Sequence, residues 1–134
     1  MITILRLGSP RLPNEGLRLG TVRRPPRGVP RADFARRDFY DVWLPILAPS
    51  EPLLKHALAS HSLDSQDRGR AWKNFERKFR AEMQQPDAAR LLDLLAALSH
   101  QTNLSLGCYC AEESNCHRSI LRSLLAERGA NLAA

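Results

Sequence analysis

The chain has no hydrophobic run long enough for a membrane. Its apolar stretches break within a few residues, well short of the ~20 a spanning helix needs. Cysteine is sparse: three in 134 residues, an odd number. That excludes a disulfide-stapled scaffold and fits thiols kept reduced. Lysine is as scarce, since 17 of the 20 basic residues are arginine. Seven glycines and nine prolines exclude a collagen-like chain. Met1–Leu5 has no basic start and is too short for a secretory signal, so a cytoplasmic location is expected. The rest is ordinary. Hydrophobic residues make up 43% and charged residues 25%, proportions that exclude a wholly disordered chain. The length suits one domain over residues 1–134, with 129–134 expected as a frayed tail. A domain of this size can bury roughly two-thirds of its unfolded surface and needs no staple.

The net charge of +6 is uneven. Residues 1–37 hold nine arginines against Glu15 and Asp33, while the remainder is nearly balanced. Such asymmetry suggests a polyanionic partner, with nucleic acid as one candidate. Several arginines lie in Arg23-Arg24-Pro25-Pro26-Arg27-Gly28-Val29-Pro30-Arg31. Its prolines forbid regular structure and hold the loop stiff, so less ordering entropy is lost on binding.

Along the chain, strand patterns alternate with helical ones. Ile2–Leu5 reads as a buried strand, residues 17–22 as a second, Tyr40–Leu44 as a third and Leu104–Cys110 as a fourth. Ser50-Glu51-Pro52 predicts a helix start, with the helix running to about Ser60. Polar residues 61–69 read as loop. From Arg70, Trp72, Phe75, Phe79 and Met83 recur at steps of three and four, the spacing of one helix face. Pro86 opens another helix with Leu91, Leu94, Leu95 and Leu98 as its stripe. Ile120, Leu121, Leu124 and Leu125 mark the last, closed by Gly129. The pattern predicts an α/β class: a single domain whose small, largely parallel sheet is flanked by helices. In such sheets ligands bind at the carboxyl ends of the strands, where Cys108 and Cys110 would lie.

All three cysteines fall within Cys108-Tyr109-Cys110-Ala111-Glu112-Glu113-Ser114-Asn115-Cys116-His117-Arg118-Ser119. Three readings follow. In the first, Asn115 caps a helix whose first turn carries Cys116, His117 and Arg118. Free N–H groups and the helix dipole favour an anion there and make a thiolate more available. Cys108 or Cys116 would be the nucleophile, and His117 would move a proton. Arg118 and Ser119 would bind the anion, joined by Arg24, Arg27 and Gly28 of the basic loop. The phosphatase spacing, cysteine then five residues then arginine, is absent, which excludes that mechanism. In the second reading Cys108, Cys110, Cys116 and His117 hold zinc. The ligand types fit, but adjacent helical residues point about 100° apart. In the third the cysteines are merely small buried hydrophobes. No cofactor is expected under the first or third.

Cys108 followed after seven residues by Cys116-His117-Arg118-Ser119 resembles the carboxyl-terminal signature of the domain of unknown function 488 family. Arg24-Pro25-Pro26-Arg27-Gly28 resembles its Pro-Arg-Gly loop. The segment Trp43–Ser50, and the helix around Trp72-Lys73 and Phe75, are similar to its YeaO-like branch. The resemblance spans about residues 17–128. It implies a compact α/β fold and brings no established reaction. Many relatives have glutamate where Cys110 stands; Glu112 and Glu113 lie close by. No glycine-rich cofactor loop follows the first strand, so porphyrin methylation finds no support.

The expected protein is thus a small cytoplasmic one with an anion-binding, catalytic pocket. Its ligand would be phosphorylated or carboxylated. Nucleic-acid binding through residues 18–37 and a structural zinc site are the alternatives. No membrane partner is expected.

Overall fold

The computed structural model describes all residues, 1–134. Four strands form one sheet: β1 (Ile2–Arg6), β2 (Leu17–Gly20), β3 (Val42–Trp43) and β4 (Leu104–Cys108). Their order is β1-β4-β2-β3, and every neighbouring pair is parallel. Parallel neighbours need crossover connections; helices supply the one from β3 to β4, while loops without an α-helix join β1 to β2 and β2 to β3. The helices are α1 (Glu51–Ala59), α2 (Ser65–Met83), α3 (Pro86–Leu98) and α4 (His117–Glu127).

Sequence explains three of the four helix starts. Pro52 and Pro86 sit in the first turns of α1 and α3, where a missing N–H costs nothing. Asp64 caps α2 by accepting from the Asp67 N–H at 2.9 Å. That cap moves the start of α2 to Ser65, five residues before the expected Arg70. Of the polar stretch 61–69 expected as loop, residues 65–69 form the solvent-facing first turns of α2. Strand β3 is only two residues long, because Pro45 removes the donor that would continue it. Strand β4 stops at Cys108, ahead of the expected Cys110.

Ile2, Leu19, Leu104 and Leu106 project from one sheet face. They pack against Phe75, Phe79 and Met83 of α2, Leu92 and Leu95 of α3, and Ile120, Leu121 and Leu125 of α4. The other face carries Arg18, Ser105, Gly20 and Gly107 and is covered by loops. A Cβ at Gly20 would lie 2.4 Å from the Tyr40 ring, so only glycine lets that ring cross the end of β2. Gly20→Ala is expected to destabilise the protein by about 1–3 kcal/mol through overpacking. Urea unfolding reads that loss; an unchanged midpoint would contradict it.

The terminal segment does not fray. Ile2 N–H donates to Asn131 O at 2.8 Å, Ala133 N–H donates to Ile2 O at 2.8 Å, and Leu132 bridges to Ile2 in parallel. Arg122 adds a bond to Ala133 O at 2.9 Å. Residues 131–133 thus continue the open edge of β1.

Candidate functional site

The carboxyl end of β4 and the start of α4 meet over a small second core of Leu5, Leu7, Val22, Tyr40, Cys108 and Cys116. The helix begins one residue later than the sequence suggested. Asn115 lies in a short 3₁₀ turn (Glu113–Asn115), and extended Cys116 takes the cap position without a side-chain bond. This shift turns Cys116 inward under the helix, with 2% of its surface exposed.

The fold brings the three sulfurs together. All lie within 4.8 Å of one another, and the Cys108 S–H donates to Cys110 Sγ at 3.8 Å. Cys108 and Cys116 are buried, and Cys110 is the exposed one. Cys108 donates its hydrogen bond to Cys110, lies beside Cys116 and is buried, all of which push its thiol far above the ordinary range. The same bond pulls the Cys110 thiol well below it, aided by Cys116 and by the charge of Arg118. Cys116 is lowered by its bond with Cys108 and by His117.

His117 faces inward. Its Nε2 donates to the Thr21 carbonyl at 2.6 Å, since a carbonyl can only accept. The Phe79 ring meets the imidazole edge-to-face, with centroids 5.5 Å apart. Thr21 is itself tied by its hydroxyl to Gly107 O at 2.9 Å. His117 therefore clamps the start of α4 to the ends of β2 and β4, leaving Nδ1 3.7 Å from Cys116 Sγ. It stands outside the three-sulfur cluster, so the four-ligand zinc set reduces to Cys108, Cys110 and Cys116.

Arg118 is 3% exposed. One Nη donates to Cys110 O at 2.7 Å, and Nε has no partner. Among all buried side chains of the protein, only Tyr40 Oη shares that condition. Buried polar groups are satisfied in the great majority of cases, and both orphans belong to residues at the strand ends, where Tyr40 packs with Cys108 and Cys116 and Arg118 bonds Cys110. Tyr40, which reasoning from sequence passed over, carried no local signal beyond strand-like apolarity.

The other expected site residues are scattered or spent. The Ser119 hydroxyl donates to Cys116 O at 2.9 Å. The Arg24 side chain pairs with Glu51 at 2.6 Å, and its carbonyl accepts from the Tyr109 hydroxyl at 2.9 Å. That second bond brings the Pro-Arg-Gly loop against the residue between Cys108 and Cys110. Arg27 and Gly28 are exposed on this loop, with Gly28 at φ +75°. Glu113, a nearby stand-in for the missing glutamate, is taken up by Arg122 at 2.7 Å and 3.0 Å.

Much of the N-terminal charge is likewise committed. Arg11 pairs with Asp41, Arg18 with Glu15, and Arg36 with Asp33. Arg23 donates to the carbonyls of Pro49, Pro45 and Ala48 at 2.9–3.1 Å. Two shallow hollows, of about 300 and 370 Å³, lie on the helices instead. One holds Asp93, His100 and Arg128; the other Ser50, His56, Lys78 and Glu82. Arg128 is already paired with Asp93, and Glu82 accepts from Ser50, so these hollows show no unmet chemical demand. The unsatisfied groups are at the strand ends.

A parallel α/β sheet whose strand ends carry thiols, an inward imidazole and a buried guanidinium defines the class of protein. The chain belongs to the domain of unknown function 488 family: the family model DUF488-N3a, described as the active DUF488-N3 subclade, matches residues 2–129. No curated protein matches the chain, and no solved structure does.

Proposed function

We propose that the carboxyl end of the sheet is a catalytic anion site. It takes a small phosphorylated or carboxylated molecule beside the three sulfurs. The observation that carries this reading is the buried, unpartnered Nε of Arg118 at the start of α4. A guanidinium offers a planar fork to phosphate or carboxylate. The first turn of an α-helix adds unpaired N–H groups and the positive end of its dipole. Cys110, the exposed thiol, is the sulfur that meets the ligand. His117 is a positioning residue that holds α4 against the strand ends through Thr21. Tyr109 and Arg24 hold the basic loop at the rim.

Calorimetry with inorganic phosphate tests the reading. One phosphate per chain is expected, with affinity unchanged within about threefold by Arg36→Ala, which removes an exposed ion pair of little weight. Absence of binding, or binding of many phosphates per chain, overturns it.

A further inference from the structure

We infer that Cys108, Cys110 and Cys116 form a three-thiolate site for a thiophilic divalent metal ion, zinc being the apt choice. The inference deepens the proposed function by naming the cofactor of that site. At the usual Zn–S length of about 2.3 Å, tetrahedral geometry separates neighbouring sulfurs by roughly 3.8 Å. Cys108 and Cys110 stand 3.8 Å apart before any ion is bound. The whole trio lies within 4.8 Å, so closing around a metal asks for side-chain movements of an ångström or less.

Two of the three sulfurs come from elements that the fold already fixes. Cys108 ends β4, and Cys116 caps α4. Cys110 lies two residues beyond Cys108, on the exposed side of the trio. A site preformed in this way binds without a large ordering cost.

Charge also balances. Binding forms three metal–thiolate bonds and releases to solvent the protons that the sulfurs still carry. The product, a divalent ion with three thiolates, carries one negative charge. Buried Arg118, bonded to the Cys110 carbonyl at 2.7 Å, supplies the compensating positive charge nearby. Buried ionic groups persist when paired in this way. His117 is not needed as a ligand, because Thr21 O occupies its Nε2. Three protein ligands leave one coordination position open, as catalytic zinc sites do and closed structural sites do not.

The test uses the full chain, reduced and stripped with a chelator, then titrated with Co²⁺ and with Zn²⁺. One Co²⁺ per chain is expected, with sulfur-to-cobalt charge-transfer absorption in the near ultraviolet and tetrahedral bands in the visible. Zn²⁺ should displace the cobalt and shield all three thiols from a disulfide reagent. Cys110→Ser, at an exposed position that spares the fold, should weaken Zn²⁺ at least about tenfold and diminish the charge-transfer band. Cobalt bound without that band, or equally well by Cys110→Ser, overturns the inference. So does protection of fewer than three thiols. Phosphate binding by the stripped chain is scored separately. Phosphate bound without thiolate-bound cobalt leaves the anion site standing and removes the metal. The reverse result retains the metal and removes the anion reading.

Discussion

Arg18→Met should lower the unfolding free energy by about 3–5 kcal/mol, the usual cost of leaving a buried charge without its partner. Arg18 is wholly buried and Glu15 is 4% exposed. Their pairing is bidentate, at 2.9 and 2.7 Å. The other Arg18 nitrogen donates to Ser9 O at 2.8 Å and Asp38 O at 2.6 Å. Glu15 also accepts from Leu12 N–H at 2.6 Å and from the Ser105 hydroxyl at 2.9 Å. One pair thus joins β2, β4 and two loops across the face without helices. In the variant the Glu15 carboxylate is left buried and loses its cation. Replacing both partners, Glu15→Leu with Arg18→Met, should cost less than the two single losses added together, since no lone charge remains. Urea denaturation reads all three. A single-variant loss under about 1 kcal/mol would contradict this assignment.

The same pair fixes the acid limb of stability. Burial raises the Glu15 carboxyl, but the bonds from Arg18, Leu12 and Ser105 outweigh it and hold the group down at about 2. A carboxyl lowered on folding stabilises the protein above its unfolded pKa. That contribution, about 3 kcal/mol, fades as pH falls from about 5 towards 2. The urea midpoint of the wild type should drop across that window. Glu15→Gln should show a shallower drop.

Arg118→Met is expected to weaken phosphate binding by on the order of tenfold to a hundredfold, the value of one or two hydrogen bonds to a charged group. Within the protein Arg118 makes one bond, to Cys110 O, so its removal should leave the fold intact. Arg118→Lys keeps the charge and loses the planar fork, and should fall between wild type and Arg118→Met. Far-ultraviolet circular dichroism controls for folding. An Arg118→Met affinity within threefold of wild type would show that the guanidinium does not contact the anion.

The contrast between these two arginines shows what the sequence could and could not disclose. Both are arginines, a type mostly found exposed. Arg18 even sits in a strand whose alternation runs the other way: Leu17 is 53% exposed, while Arg18 has no exposed surface. Only its pairing with Glu15, across a turn and under a loop, makes that inversion stable. Arg118 was legible as a site residue because it follows Cys116 and His117 at a helix start. The parallel α/β class was also legible, because helix-opening prolines and spaced apolar residues are local signals. The two-residue β3, the early start of α2 and the pinned terminal segment were not. Each is set by a partner distant in sequence or by a single cap. The convergence of Cys110 with Cys108 and Cys116 depends on how the turn at 109–115 folds back. Spacing alone does not determine that. The N-terminal charge suggested a polyanion surface, yet Arg11, Arg18, Arg23, Arg24 and Arg36 bond to other parts of the protein.

The most direct measurement is a ¹⁵N–¹H correlation spectrum of the protein titrated with phosphate. The amides of Cys110, His117, Arg118 and Ser119 should shift together and saturate at one equivalent, with the Arg118 Nε–H moving most. Shifts confined to Arg27, Arg31 and Arg37, rising without saturation, would contradict a site at the strand ends. They would return the anion to the basic loop.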